Sequence, residues 1–207
     1  MTQPIPGACA LPDTSDPRRE AADRAAELCE LGILDTAPER AYDDLAAVAA
    51  YVCGAPVALI SLLDTSRQWF KAEIGLGQRE LGPERTICVH TVASGGELVI
   101  PDLAEDPRTA GSPLVTQDGF RFYAGSAIRG RGDVSLGAVC VLDREPRPQG
   151  LDPAQRATLA ALARQVSTLF EHRRTLARIA DREAELAASE RRFRVMTSAM
   201  PQMVWTT

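Results

Sequence analysis

The chain contains one helix that is too long to fit inside the domain preceding it. Neither glycine nor proline occurs between Pro153 and Pro201, and Asp152 precedes the first proline as a helix-capping residue. This pattern predicts a helix from about residue 153 to about residue 193, on the order of 60 Å long at about 1.5 Å per residue. Most of this helix must therefore project from the folded domain.

A repeat of alternating three and four residues runs along the projecting half. Five of its eight positions are apolar, which suffices for a parallel coiled coil but not for a stable one, because buried Glu183 and Glu190 would repel their twofold mates. We therefore expect a parallel homodimer with a weakly zipped stalk. The seam positions are Leu169, His172, Leu176, Ile179, Glu183, Leu186, Glu190 and Phe193.

Composition limits the partners of the chain. The 207 residues include 23 Lys and Arg against 28 Asp and Glu, and no basic cluster forms a face for nucleic acid. No stretch approaches the roughly 20 apolar residues that span a bilayer, and the N-terminus lacks the order of a signal peptide. We expect a cytosolic protein with no membrane insertion. The five cysteines are scattered without a CxxC pair, so free thiols are expected.

Two helices are predicted before the first strand. The proline-rich residues 1–18 are expected to form a flexible tail, and a helical pattern follows from Glu20 to Leu31. The segment Thr36-Ala-Pro-Glu39 has capping-box spacing and is predicted to start the second helix, which ends at Gly54.

Five strand-like runs come next. Val57–Leu63 (VALISLL) is a continuous apolar run that predicts a central strand, and 68–71 is its hairpin partner across a turn at Asp64. A short helix is expected over 87–93, and a long loop over 102–119 is typical of either a pocket lid or a disordered link. The pattern predicts an α+β domain with a mostly antiparallel sheet of about five strands. The other three runs are Leu98 to Ile100, Phe122 to Ile128 and Leu136 to Leu142.

Seven short motifs occur in an order that resembles the GAF domains at the front of bacterial sensor histidine kinases. They are ELGILDTAPERAYDDLA, VALISLLDTSRQWFKAEIGL, TICVHTV, LVIPDLAEDPR, PLV, RFYAG and LGAVCVLDREPR. The similarity covers about residues 20–170. It implies a GAF fold over residues 19–150, a terminal helix and coiled-coil linker over 151–193, and a sensory or relay role in a two-component system rather than catalysis.

The last 19 residues resemble the start of a PAS domain, of the kind that precedes a kinase transmitter, especially of the HWE type. We expect residues 194–207 to be the truncated start of such a domain. The resemblance implies downstream PAS and kinase domains as partners in the same chain, with the transmitter outside it. His172 lacks the sequence context of a phosphorylated histidine and occupies a stalk position, so it is not expected to be the phospho-acceptor.

Cys88-Val-His90 is the most suggestive candidate for a ligand site, because some GAF photoreceptors hold a bilin at this place. Bilin, haem and redox sensing are therefore alternatives to a domain without a cofactor. Two residues apart on a helix, the side chains point in different directions and cannot both face one ligand. We favour a small buried cysteine and a hydrogen-bonded histidine.

A second alternative is a cysteine enzyme similar to the GAF-fold methionine sulfoxide reductases. A nucleophilic thiol needs an electropositive, partly exposed site and a resolving partner. Cys88 and Cys140 stand in apolar sequence, which is expected to raise the pKa of both thiols and argues against this chemistry.

The remaining candidates come from strands and loops. Asp102 is expected to accept hydrogen bonds from turn amides, with Arg108 pairing to it or to Glu105, as a structural clamp. Trp69 and Phe70 alternate along a strand and cannot both line one pocket. The signature of cyclic-nucleotide-binding GAF domains is not found. If a pocket exists, its candidate residues are Trp69, Cys88, His90, Asp102, Arg121 and Tyr123.

Overall fold

The computed structural model describes residues 17–198, with side chains described from residue 18 to residue 195. Within this range a single mixed α+β unit is built on one sheet. The helices are α1 (Pro17–Leu31), α2 (Arg40–Cys53), α3 (Cys88–Ser94), α4 (Pro113–Thr116) and α5 (Pro153–Ser198). The strands are β1 (Val57–Leu63), β2 (Gln68–Ile74), β3 (Glu80–Leu81), β4 (Glu97–Ile100), β5 (Phe122–Arg129) and β6 (Ser135–Asp143).

The sheet has the strand order β3-β2-β1-β6-β5-β4, and each neighbouring pair is antiparallel. The predicted α+β class and antiparallel sheet are confirmed. The prediction of about five strands is corrected to six for the described residues. The added strand, β3, pairs Leu81 with Gln68 and Glu80 with Trp69. Two residues are too few to leave an alternating pattern in the sequence.

β1 lies inside the sheet between β2 and β6, and all seven of its residues are buried. This confirms VALISLL as a central strand. The predicted turn at its end is also present, because the Asp64 amide donates to the Arg67 carbonyl at 3.0 Å. β1 and β6 approach closely at Gly137, where an added Cβ would lie 1.9 Å from the Ser61 carbonyl oxygen.

Each face of the sheet is covered by a separate apolar core. The helical-face core, between the sheet and α1, α2 and α5, contains Trp69, Tyr42 and Phe170. The α3-face core, on the opposite side, contains Phe70, Cys88 and Cys140 together with loop and α4 residues. Trp69 and Phe70 therefore face opposite sides, as the period of two predicts.

The capping box predicted at Thr36 is wrong. α2 begins at Arg40 with Glu39 as its N-cap residue, and no side-chain hydrogen bond caps it. The Thr36 hydroxyl instead donates to the Ile33 carbonyl at 2.7 Å and accepts from Lys71 Nζ at 2.7 Å. The Thr36 hydroxyl, which the sequence pattern assigned to the N-terminus of α2, is therefore bound by the buried Lys71 of β2.

Several predicted helix boundaries move by a few residues. α1 starts at Pro17 rather than Glu20, because proline is favourable in the first helical turn, so the expected tail is shorter than 18 residues. α3 starts at Cys88 rather than Ile87. α5 continues to Ser198, into residues predicted as the PAS start. Residues 1–16 of the tail and 199–207 of the PAS start lie outside the described residues.

α5 contains 46 residues, which corresponds to about 70 Å. Its predicted start is confirmed, since the Gln155 amide donates to Asp152 Oδ1 at 2.8 Å and the Asp152 amide donates to Gln155 Oε1 at 3.0 Å. Its first half packs on the sheet through Leu159, Val166 and Phe170. No helix within residues 17–198 has the length and apolarity needed to cross a membrane.

Lys71 joins the segment between α1 and α2 to the sheet. Its side chain is fully buried, and Nζ donates to Thr36, to the Ala37 carbonyl at 2.9 Å and to Glu39 Oε1 at 2.6 Å. The hydrogen bond from Lys71 holds the pKa of Glu39 below its usual value. Glu39 also accepts from Arg173 of α5 at 3.0 Å, so one carboxylate links β2, α2 and α5.

We expect Lys71→Met to lower the free energy of unfolding by about 1–3 kcal/mol, because three hydrogen bonds from the buried ammonium to partly exposed acceptors are lost. Urea denaturation monitored by circular dichroism measures the change. Arg40→Met is the matched control: it removes a cation whose partner Asp44 is exposed, and should cost less than about 0.5 kcal/mol. Equal losses in the two variants would contradict the role assigned to Lys71.

Candidate functional site

The α3-face core encloses a small cavity beneath α3. About 10 Å³ of it is available to the centre of a water molecule, which is room for about one water. Three of the lining residues, Gln68, Cys88 and Tyr123, carry polar groups, and the others are leucines and one isoleucine. A tetrapyrrole such as bilin or haem does not fit in this space.

Gln68 is the central polar residue of the cavity. It is only 2% exposed, and its Nε2 donates to Ser61 Oγ at 2.7 Å and to Cys88 Sγ at 3.1 Å. Its Oε1 is buried without a hydrogen-bond partner among the described residues. An unsatisfied buried carbonyl of this kind is costly and is usually matched by a water or a ligand.

Cys88 and Cys140 lie side by side in this core, with their Sγ atoms 3.5 Å apart. A hydrogen bond from Cys140, supported by Tyr123, Ser61 and Gln68, lowers the pKa of the Cys88 thiol below its usual value despite complete burial. The pKa of Cys140 is raised by the hydrogen bond to Cys88 and by burial. The expectation of a raised pKa is therefore confirmed for Cys140 and wrong for Cys88, because hydrogen bonds outweigh the apolar surroundings.

Tyr123 closes one end of the cavity from β5. It is fully buried, and its hydroxyl shares a 2.6 Å hydrogen bond with Thr91 Oγ1 of α3. Burial raises the pKa of Tyr123 well above its usual value, so it stays protonated. An added Cβ at Gly125 would lie 2.3 Å from the Tyr123 hydroxyl, so this glycine leaves room for the Tyr123–Thr91 contact.

His90 does not share the cavity with Cys88. It is half-buried near the surface of α3, and Cys88 is 2% exposed and lines the cavity. This arrangement agrees with the different directions expected for two residues spaced by two on a helix. His90 lies close enough to Asp106 to help lower the pKa of that carboxyl, which falls to about 2 mainly through its hydrogen bond from Arg108.

Asp102 and Arg121 pair with each other at the two ends of the loop that carries α4. Arg121 Nε donates to Asp102 Oδ1 at 2.7 Å and Nη2 donates to Oδ2, and the same carboxylate accepts the Ala104 amide at 3.0 Å. The predicted bonds from turn amides to Asp102 are confirmed. The predicted partners of Arg108 are wrong, because Arg108 binds Asp106 at 2.6 Å.

The six candidate residues thus occupy four places. Cys88 and Tyr123 share the cavity, Asp102 and Arg121 form the loop clip, His90 is near the surface, and Trp69 lies in the opposite core. A binding role for each stays a prediction. Sequence reasoning missed the polar residues Ser61, Gln68, Thr91 and Cys140 as cavity neighbours, although Ser61 inside VALISLL and Gln68 before Trp69 were visible as polar residues in buried strands.

Two further observations delimit the site. A larger groove of about 400 Å³ lies between α1, α3 and the β5–β6 turn, but none of the six candidate residues lines it. Among residues 17–198, no group of three or more His, Cys, Asp or Glu side chains is placed to hold a metal ion. The small cavity is lined by Cys88, whose sulfur contacts that of Cys140.

We expect Asp102→Asn to increase amide hydrogen exchange in residues 103–120, because the clip loses its charge-assisted hydrogen bonds to Arg121. Arg121 holds the pKa of Asp102 below its usual value of 3.8, so wild-type protection should persist down to about pH 4 and be lost below it. Hydrogen exchange with mass spectrometry measures both effects. The control Asp23→Asn changes an exposed carboxylate of α1 and should leave this loop unchanged. Unchanged exchange in Asp102→Asn would contradict the clip.

Comparison with known proteins agrees with the geometry. Over 125 residues the chain is 36% identical to a cyclic di-GMP phosphodiesterase of Pseudomonas aeruginosa. The aligned segment covers 60% of this chain but only 21% of that protein. The chain therefore spans about a fifth of the length of this relative.

Two solved structures show the same fold. One is the GAF domain of a phosphoenolpyruvate-protein phosphotransferase from Coxiella burnetii, with a TM-score of 0.56, 14% identity and coverage of 76% of this chain and 98% of that one. The other is a domain described as part of a two-component sensor histidine kinase of Sinorhizobium meliloti, with a TM-score of 0.51, 16% identity and coverage of 72% and 99%. The GAF domain family model matches residues 37–169. The chain belongs to the GAF domain family.

Proposed function

We propose that this GAF domain is the sensory and relay input module of a larger cytosolic bacterial signalling protein, and that it acts as a parallel homodimer. The observation that carries the proposal is the course of α5, which leaves the domain as a single exposed helix. From residue 175 to residue 195 each side chain except that of Ala188 is exposed. A helix that only connected two domains would need no large apolar side chains on its surface. This segment exposes several of them.

The exposed half of α5 carries large apolar side chains at the predicted seam positions. Leu176 is 67% exposed, Ile179 47%, Leu186 65% and Phe193 69%. Leu169, at the start of the seam, is half-buried, and His172 and Glu183 are exposed. Isolated helices are marginal in water, and an apolar stripe of this kind favours association.

A second copy of the same helix is the occupant that the spacing fits. The alternation of three and four residues matches knobs-into-holes packing between two helices. In a parallel pair, Glu183 of one protomer lies beside Arg182 of its partner, so the carboxylate repulsion at this layer is offset in part. Such a seam holds two chains together weakly, so the two helices can change their relative position at a low cost in free energy. A signalling helix needs this property.

The side chain of Arg174 anchors α5 to the domain at the point where the helix leaves it. Arg174 is 5% exposed, and it donates to Glu27 of α1 and to Glu171 Oε1 at 2.6 Å. Glu27, itself 7% exposed, also accepts from the Arg131 amide of the β5–β6 turn at 2.9 Å. One buried ion pair thus joins α1, the sheet and the exit helix.

The type of output domain is inferred from the proteins that the chain resembles. A PAS domain and a histidine kinase transmitter are the proposed downstream partners, in agreement with the fold shared with the Sinorhizobium meliloti domain. The Pseudomonas aeruginosa relative is a cyclic di-GMP phosphodiesterase, so an output domain of that kind is the alternative partner. With either output domain, a change in the relative position of the two paired helices would pass the signal on.

We expect the 207-residue chain to be a dimer in sedimentation equilibrium, and Leu176→Glu with Ile179→Glu to be monomeric, because four carboxylates would enter the seam. Ala177→Glu with Ala184→Glu places the same side chains on the outer face of α5 and should remain dimeric. A monomeric wild-type chain at high concentration, or equal dissociation of both variants, would reject the proposal.

Glu183→Leu with Glu190→Leu should tighten the dimer at least about 100-fold, since each buried leucine contributes about 1.5–3 kcal/mol. The dissociation constant from sedimentation provides the measurement. In the parent protein the same variant should fix the stalk and remove regulation of the output domain. Unchanged regulation together with a tighter dimer would show that the seam does not carry the signal.

A further inference from the structure

Two thiols are in contact inside the α3-face core. Cys88 comes from the first turn of α3 and Cys140 from the middle of β6, and the sulfurs are 3.5 Å apart. We propose that Cys88 and Cys140 form a two-electron redox pair that hydrogen peroxide oxidises to a disulfide. Both thiols belong to one chain, so the pair does not require the proposed dimer.

The surroundings make the two sulfurs unequal. Cys88 accepts hydrogen bonds from Gln68 Nε2 at 3.1 Å and from Cys140, and these bonds lower the pKa of the Cys88 thiol. Cys140 keeps its proton, because its pKa is raised. Cys88 lines the cavity and accepts from Gln68, whereas Cys140 does not line it, so Cys88 is the attacking sulfur and Cys140 the resolving one.

The cavity lies next to Cys88. About 10 Å³ of it is open to the centre of a water molecule, which is room for one oxygen atom, so hydrogen peroxide enters only when the lining side chains move slightly apart. The unpartnered Oε1 of Gln68, a residue that is 2% exposed and lines the same cavity, can accept a hydrogen bond from an O–H group. A peroxide has such a group and is small; a bulky disulfide oxidant such as glutathione disulfide is excluded.

The chemistry balances without another reactant. The Cys88 thiolate attacks one peroxide oxygen, an S–O bond forms, the O–O bond breaks, and the hydroxide released takes a proton from solvent to become water. Cys140 then attacks the sulfenic sulfur, an S–S bond forms, the S–O bond breaks, and the second hydroxide leaves as water with the Cys140 proton. Two electrons pass from the two sulfurs to the peroxide, and a dithiol reductant reverses the change.

The other described cysteines lack this arrangement. Cys53 is buried at 1% exposure, and burial raises the pKa of its thiol. Cys29 is exposed on α1. These two thiols serve as internal references for a hindered and an accessible cysteine.

The test uses the full chain carrying Cys9→Ser, Cys29→Ser and Cys53→Ala, which retains only the pair. After hydrogen peroxide and denaturing alkylation with N-ethylmaleimide, we expect a protein lighter by two hydrogen atoms that takes up no alkyl group, with Cys88 and Cys140 in one linked peptide. Dithiothreitol should restore both alkylation sites. Glutathione disulfide at equal concentration should oxidise the pair at least about tenfold more slowly.

Further variants separate the two roles. Cys140→Ala should stop at a sulfenic acid on Cys88 that dimedone labels, and Cys88→Ala should slow oxidation at Cys140 at least about tenfold. Gln68→Leu, which removes the donor and the acceptor, should slow disulfide formation at least about tenfold while circular dichroism stays unchanged. The proposal is overturned if both thiols remain alkylatable at a peroxide exposure that oxidises Cys29 in the unaltered chain. It is equally overturned if the linked peptide forms no faster than in urea-unfolded protein.

Discussion

The central strand β1 is covered on both faces, so its side chains divide alternately between two cores. Ile60 and Leu62 pack beneath α2 and α5, and Val57 and Leu59 pack beneath α3. Because neither face of the strand meets water, each polar group that enters must be satisfied by another buried group. This constraint explains why Ser61, on the α3 side, is bound to Gln68, and why the unsatisfied oxygen of Gln68 stands out.

The same alternation connects the thiol pair to the exit helix through β6. Cys140 faces α3, whereas its neighbours Val139 and Val141 belong to the core on which α5 packs. Interiors are close-packed and transmit small displacements, so a change in the position of Cys140 is felt by the residues beneath α5. The buried Arg174–Glu27 pair then fixes the helix to the domain at its point of departure. The thiol pair and the helix that we propose to carry the output thus lie on opposite sides of one strand.

Local patterns predicted the elements well because their causes are local. The uninterrupted apolar run of VALISLL identified β1, Asp152 and Pro153 identified the start of α5, and the period of two separated Trp69 from Phe70. Partners distant in sequence were not predictable in this way. Thr36 has capping chemistry, but only the fold shows that Lys71, 35 residues away, captures it.

The candidate site was likewise predictable where single residues were concerned and not where distant residues meet. Cys88 and Tyr123 could be singled out from the sequence, and both line the cavity. The pairing of Cys88 with Cys140 joins residues 52 positions apart, and apolar neighbours in the sequence suggested the wrong direction for the pKa of Cys88. The hydrogen-bonding groups around Cys88 come from four different strands, and a pattern in the sequence does not predict such contacts.

α5 presents two different faces along its length, one to the sheet and one to solvent. With about 100° of rotation per residue, the stripe from Leu176 to Phe193 lies about 150° around the helix axis from the face that carries Leu159 and Val166. An insertion of one residue after Arg174 would swing that stripe by about 100° around the axis, whereas a seven-residue insertion would move it by only about 20°. If the proposed dimer forms, natural length variation at this point should occur in whole heptads, since other lengths would turn the apolar stripe away from the partner helix.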